Sequence, residues 1–444
     1  MGATETIARF ALGMGSTMVP EPILHEGKRC IINYLAVALY ASADPSMKIL
    51  TSLFEEEGGN PQATIIGSDM RTSLQNAALA NGYLAHLEDY DDTHFPTVIH
   101  PSAPTVPAAM AMGERLNATG LDVLIATVLG VEVCCRIGLS VHPHHYDAGW
   151  HITGTCGVFG SVVATGRLLG LDEGQMVNAL GIAGTQAAGV RETFGSMSKP
   201  FHAGRSAQSG LLAGLLAVRG FTSTSTILEG RRGFATVLST ASDMETLTEA
   251  LGERWELPNN GLKPYACGVV SHPLIDAMIT FRNIHGVKAE DVHAITAKVQ
   301  PLVLELMDRK HPRIGLEGKF SHQHSMAVGL VDGGAFPSQY TDDRVNDPII
   351  IELREMITAT VDPNMPEDSA EVTVVLKDGR SIIEKVDHAT GAPENPLSDG
   401  QLEDKFRNLA SRVLPKKRAE KLLSLLWSID EAEDLREIMA LVRP

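Results

Sequence analysis

The stretch AEVTVVLKDGRSIIEKVD, Ala370–Asp387, decides how the chain divides. Apolar and polar residues alternate on both sides of Lys377-Asp378-Gly379-Arg380, the pattern of two half-buried strands joined by a tight turn. Around it the texture is mixed. DVHAITAKVQPLV (Asp291–Val303) alternates as a strand does, and ELREMITATVD (Glu352–Asp362) passes from helix to strand. HPLIDAMITFR (His272–Arg282) and HSMAVGLV (His324–Val331) read as helices. HATGAPENPLSDG (His388–Gly400) has the composition of a linker, and beyond it LEDKFRNLASRVL, AEKLLSLLWSI and AEDLREIMALV resume a helical period.

Upstream, nearly every periodic segment is helical. Ile7, Phe10, Ala11 and Met14 share a face, as do Leu24, Ile31, Leu35 and Leu39, then Leu74, Ala77, Ala78 and Leu84. Leu121–Leu139 is apolar almost all round, the mark of a buried helix. Asp172 with Gln175 forms a capping box for the helix that follows. Thr155–Leu169 and Ser206–Val218 are rich in Gly, Ala and Ser, which helices tolerate where backbones pack closely. The expected fold is mainly α. A large all-α helical domain spans residues 1–265 and 396–444, with the final helices returning to it, and a smaller α+β domain spans 266–395.

The chain has 444 residues and a formal net charge of −17, an acidity that argues against a nucleic-acid partner and against anionic membranes. An acidic substrate would need local positive charge. The five cysteines, Cys30, Cys134, Cys135, Cys156 and Cys267, form no C-x-x-C pair and no disulfide framework, which fits a reducing compartment. MGATETIARFALGMG lacks the layout of a signal peptide. No uninterrupted apolar run reaches membrane-spanning length, because Asp122, Glu132 and Arg136 break the nearest candidate. The expected location is the cytoplasm, with an organellar matrix as the other option.

Four segments hold the residues able to do chemistry. DYDDTHFPTVIHPS (Asp89–Ser102) packs three aspartates and two histidines between two helical patterns, with Ser102 placed to cap the second. It reads as a charged loop, an acid–base site or a metal site, although it matches no zinc or EF-hand spacing. GWHITGTCGVFGS (Gly149–Ser161) puts His151 just before a helix whose free N–H groups favour an anion, with Tyr146 five residues earlier. RETFGSMSKPFHAGRSAQSG (Arg191–Gly210) supplies Lys199, His202 and Arg205 ahead of a small-residue helix. KPYACGVVSHPLIDA (Lys263–Ala277) sets His272 at the change of texture, where domain junctions favour pockets. Neither G-x-G-x-x-G nor Walker A spacing occurs in these segments, so a nucleotide fold is not indicated.

Together these segments resemble the MmgE/PrpD family. The likeness runs through HLEDYDDTHFPTVIHPS, GWHITGTCGVFG, SKPFHAGRSAQSG, GFTSTSTILEGRRGF, KPYACGVVSHPLIDA, GKFSHQHSMAVGL and NPLSDGQLEDKF, in that order and over nearly the whole chain. The family includes 2-methylcitrate dehydratase, cis-aconitate decarboxylase and iminodisuccinate epimerase. The resemblance implies a helical domain built from both chain ends, a smaller α+β lid domain and a homodimer. It implies a site using neither metal nor organic cofactor, formed by Asp89, Thr93, His100, His151, Lys199 and His272, with Tyr146 as an addition. His202 and Arg205 are expected to bind substrate. The loop HFPTVI between Thr93 and His100 is one residue longer than the decarboxylase pattern, and it lacks the Trp-containing form of methylcitrate dehydratases.

The implied chemistry is formation of a carbanion beside a carboxylate, on a small di- or tricarboxylate. His100 and His151 would handle protons, Lys199 would clamp a carboxylate or act as a second proton carrier, Asp89 would orient a histidine and His272 would join from the lid. A hydro-lyase is the first expectation, with decarboxylase and epimerase as alternatives. Two other classes compete: a metal-dependent hydro-lyase using Asp89, Asp91, Asp92 and His100, and a helical binding protein without turnover.

Overall fold

The computed structural model describes residues 2–444. Helices dominate it. Its contacts divide into two compact units. The first holds the chain up to Leu87, Asp91–Gly261 and Ser398–Pro444; the second holds Glu88–Tyr90 and Leu262–Leu397.

In the first unit the helices Leu74–Leu87, Ser102–Leu116, Gly120–Val141, Ile152–Leu168 and Ser198–Ala217 pack on one another. Their small residues do what the sequence suggested. A Cβ at Gly204 would sit 2.3 Å from the Leu79 carbonyl oxygen, and one at Gly82 would sit 2.7 Å from the Gly204 Cα. Gly130 and Gly160 face each other as closely, each added Cβ falling within 2.7 Å of the other's carbonyl oxygen. Backbone cannot yield there as a side chain would. Gly204→Ala is therefore expected to cost about 2–3 kcal/mol, the range of overpacking a tight core, read as a lower urea midpoint. An unchanged midpoint would show that these two helices can part.

The capping box of Asp172 and Gln175 forms at the start of Glu173–Gly184. Helix Asp399–Ala410, the first of the returning C-terminal segment, lies against Glu21–Ala41, where Lys405 Nζ donates to Asn33 Oδ1 at 2.7 Å and Arg29 meets Asp399. Gly120–Val141 has the length and hydropathy of a membrane span, yet it lies buried inside this unit. The unit is not all-α: Ala63–Thr64 pairs antiparallel with Arg71–Thr72, and Asp92–His94 is extended. Strands this short leave no periodicity to read.

The second unit carries a four-stranded sheet: β1 Val292–Val299, β2 Ile357–Val361, β3 Ala370–Leu376 and β4 Ser381–Val386, in the order β2-β1-β3-β4. β1 and β2 run parallel, and the other neighbours run antiparallel. The β3–β4 hairpin has the expected register, Val375 opposite Ser381, with Gly379 at φ +90° making the turn. Helix His272–Asn283 packs on β3 and β4. Glu88–Tyr90 joins this unit through side-chain bonds. Lys319 holds Glu88 at 2.9 Å, Lys263 holds Asp89 at 3.0 Å, and the Tyr90 hydroxyl donates to the Pro264 carbonyl at 2.7 Å. A contiguous boundary at residue 265 has no place for such a three-residue exchange.

Candidate active site

Helix Leu74–Leu87 ends by placing His86 inside the first unit, 1% exposed. Its Nδ1 lies 2.8 Å from Asp91 Oδ2. A carboxylate at that nitrogen holds the proton on Nδ1 and leaves Nε2 as the basic atom. The chain then extends through Asp92–His94 and returns at His100. His100 Nδ1 lies 2.8 Å from the Asp92 carbonyl oxygen, 3.3 Å from Thr93 Oγ1 and 3.5 Å from Asp91 Oδ1. A carbonyl only accepts, so this nitrogen carries a proton and the neutral ring also presents its lone pair at Nε2. The His86 and His100 ring centroids are 4.6 Å apart, with the Asp91 carboxylate facing both.

His151 ends its loop at the N-cap of helix Ile152–Leu168. Its ring stacks on His86 at 5.5 Å and meets Phe194 edge-on at 4.9 Å. Its Nδ1 is 3.0 Å from His202 Nδ1, so the two rings share one proton across that contact. Burial pushes the His151 pKa well below the usual histidine range, and the neighbouring His86 and Lys199 push it further. Burial likewise brings His202 down to about 4. Lys199 is 6% exposed, its ammonium 5.3 Å from the Phe194 ring centre. The His100 amide donates to Thr153 Oγ1 at 3.1 Å, which ties the loop to the first turn of the His151 helix.

Lys199 and His202 lie inside helix Ser198–Ala217, not ahead of it. This explains Arg205. Six residues beyond Lys199, it is turned about 120° away around the helix; it is exposed and donates to Gln208 at 2.5 Å. The structure does not gather Arg205 with the others. Tyr146 stands with Arg191, whose guanidinium lies 4.0 Å from the ring centre. Ser102 does not cap its helix: it is the first helical residue, and its hydroxyl is given to Asp92. Asn260 Nδ2 donates to the same Asp92 oxygen at 2.5 Å. Burial raises the Asp92 pKa to about 6, opposed by these hydrogen bonds.

The loop between Thr93 and His100 is folded onto protein. His94 N donates to the Ile99 carbonyl at 2.7 Å, and His94 Nδ1 lies 2.7 Å from Thr97 Oγ1. Val98 holds φ +54°, a strained value for a β-branched residue. The second unit holds the remaining two expected residues. Asp89, at φ +51°, accepts from the buried Lys263 at 3.0 Å. His272 begins helix His272–Asn283, 1% exposed, with its ring edge-on to Tyr265 at 5.3 Å.

Sequence reasoning passed over His86, Phe194 and Lys263, and named Asp91 only as a metal ligand. His86 falls on the apolar face of its helix, where it reads as a core residue. The available signal was the His86–Asp91 spacing across a helix end, which brings the carboxylate back to the ring. His86, Asp91 and His100 are also a donor set that a divalent cation can use.

Buried neutral histidines make this unit acid-sensitive. His145 donates from Nδ1 to the Leu238 carbonyl, accepts from Thr155, and is held at about 4 mainly by burial. A histidine whose folded pKa lies below 6.5 contributes stability in full above that pH, and loses it as pH falls towards the folded value. Asp92 acts oppositely: its raised pKa favours folding most below about 4 and is lost as pH rises through about 6. With His94, His142, His145, His151 and His202 lowered against the raised Asp92 and Glu132, unfolding at pH 5 is expected to take up protons net. Calorimetry in buffers of different ionisation enthalpy measures this; a stability unchanged between pH 7 and pH 5 would refute it.

Residues 5–247 match the MmgE/PrpD N-terminal domain, and residues 265–431 match the MmgE/PrpD C-terminal domain. A cis-aconitate decarboxylase of Aspergillus terreus is 27% identical over 476 residues, covering 99% of this chain and 96% of its own. The cis-aconitate decarboxylase of Homo sapiens is 27% identical over 457 residues, covering 99% and 94%. With both halves matched in order, this chain belongs to the MmgE/PrpD family.

Proposed function

We propose that this chain is a lyase that acts on a small polycarboxylate, and that its reaction is loss of carbon dioxide from an acid of the cis-aconitate type. The observation that carries the proposal is the buried set of Lys199, His151, His86 and His100, with the half-buried His202 beside His151 and the Asp91 carboxylate shared by His86 and His100. A buried ammonium and a helix N-terminus beside His151 are what substrate carboxylates require. The hydro-lyase reading yields first place because the relatives aligned over nearly their full length are named for decarboxylation.

In the proposed step the C–C bond to one carboxylate breaks and carbon dioxide leaves. The electron pair stays behind as a carbanion delocalised towards a remaining carboxylate, and one proton is delivered to carbon. Lys199 offsets the charge of the carboxylate that receives the electron density. His100 delivers the proton, since a ring that carries an extra proton there has the Asp91 carboxylate to offset its charge. His151, kept neutral, hydrogen-bonds the substrate, while its Nδ1 shares one proton with His202 Nδ1 and so fixes the orientation of the ring.

The test is a panel of di- and tricarboxylates in deuterated water, followed by NMR. The expected result is carbon dioxide release with one deuterium in the product. Water loss without carbon dioxide would replace the reaction by dehydration, and solvent exchange with inversion would replace it by epimerisation. Activity that falls on chelation and returns with a divalent ion would favour the metal reading built on His86, Asp91 and His100.

A further inference from the structure

The second unit contains a cavity of about 360 Å³ against β2, a size that suits a small ligand. Lys310, His322, Gln323, Arg354 and Thr358 line it, with Leu304 as an apolar wall. None of the residues assigned above to the candidate active site is among them. Arg354 lies in the last turn of helix Pro348–Glu355 and is 6% exposed. Its Nε and Nη1 are buried and find no hydrogen-bond partner in the protein. A guanidinium in such a place is costly unless an anion meets it, because Arg keeps its charge and presents a planar fork of donors. His322 is similar. Its Nδ1 donates to the Met307 carbonyl at 3.1 Å, while the buried Nε2 has no partner.

Two acids also line the cavity, and neither pairs with Arg354. Asp308 accepts from Gln323 Nε2 at 2.8 Å and lies 3.9 Å from His322 Nδ1, and Glu355 lies 3.4 Å from His311 Nδ1. The exposed Glu355 acts on Arg354 only at a distance, so the buried guanidinium nitrogens lack a bonded anion. The nearby His324 adds no anion: its Nε2 donates to the Gln339 carbonyl at 2.8 Å.

We propose that this cavity is a second binding site, for a small oxyanion that also carries a proton donor. The oxyanion meets the fork of Arg354, and the donor, a hydroxyl beside a carboxylate or the P–OH of a phosphate, meets the lone pair of His322 Nε2. Thr358 and Gln323 complete a polar wall, and Lys310 adds charge at the mouth. The site is independent of the proposed lyase reaction, since it rests on other residues.

The experiment is titration calorimetry of the full chain with inorganic phosphate and, separately, with malate. It is run on the Lys199→Met background, to remove binding at the candidate active site, and on the same background with Arg354→Met. At least one probe should bind the first protein at a stoichiometry near one, and at least tenfold more weakly after Arg354→Met. The probe that binds more tightly assigns the ligand to phosphates or to hydroxy acids. Thermal shift gives a second readout: the bound probe should raise the Tm of the Arg354 protein and not of Arg354→Met. Should Arg354→Met fail to fold, His322→Leu takes its place, with the same weakening expected. Equal affinity with and without Arg354, or no heat from either probe at 20-fold excess over millimolar protein, would overturn the site.

Discussion

Lys199→Met and His151→Gln are each expected to lower kcat by about 100-fold or more, within the range that positioned acid–base groups supply, and to leave the protein folded. Lys199 is the ammonium of the buried cluster, and methionine keeps its length without its charge. His151 sits at an N-cap, where a polar residue of similar size is tolerated, and its side chain makes no cap hydrogen bond that glutamine would lose. The lost elements are the charge on the substrate carboxylate and the proton shared with His202. A pH profile separates these roles from mere packing. Lys199 is one of the groups that hold the His151 pKa down, so removing its charge moves the His151 titration upward. The acid limb of the residual activity in Lys199→Met should therefore lie at higher pH than in the parent. Variants that keep normal secondary structure and turn over within threefold of the parent would end the assignment of both residues. A loss with no change in the acid limb would leave His151 outside the proton path.

The same comparison shows what a sequence discloses and what it withholds. Helix faces with a clear period, such as Ile31, Leu35 and Leu39, and the alternation of Ala370–Asp387 are local statistics, and the structure repeats them. His100, His151, Lys199 and His202 were visible because each stands in a polar motif at a helix boundary or beside a small-residue stripe. What stayed hidden depends on three-dimensional partners. Asp91 is one of three nearly equivalent aspartates until the fold gives it His86 and His100. Asp92 looks like a ligand, yet it is buried behind Ser102 and Asn260 as a support. Arg205 looks like a substrate cation and turns outward, because helix Ser198–Ala217 begins seven residues earlier and sets its face. Glu88–Tyr90 changes units by side-chain bonds that no periodicity encodes.

The second large effect is on stability. Arg136→Met is expected to destabilise the first unit by about 3–5 kcal/mol, the cost of removing one partner of a buried ion pair. Arg136 and Glu132 lie one turn apart on Gly120–Val141 with no exposed surface, and the guanidinium Nε donates to Glu132 Oε1 at 2.8 Å. Its other nitrogens donate to the carbonyls of Glu249, at 2.5 Å, and of Arg254. Methionine fills similar volume, leaves the buried Glu132 carboxylate with the Glu256 amide alone as donor, and leaves two carbonyls without theirs. Glu132 already has its pKa raised by burial, against the opposing pull of Arg136, so loss of the cation raises it further. An acid with a raised folded pKa favours folding when protonated and loses that contribution as pH rises through the folded value. The defect of Arg136→Met should therefore be larger at pH 8 than at pH 5.5 in urea unfolding. Adding Glu132→Gln should recover a large part of it at pH 8 and less at pH 5.5. A loss below 1 kcal/mol, or one that does not vary with pH, would mean that water reaches Glu132 once the arginine is gone. The activity follows from the same packing. Gly120–Val141 lies against Ile152–Leu168, the helix that begins at His151, so the buried ion pair fixes the helix whose N-terminus presents a site histidine.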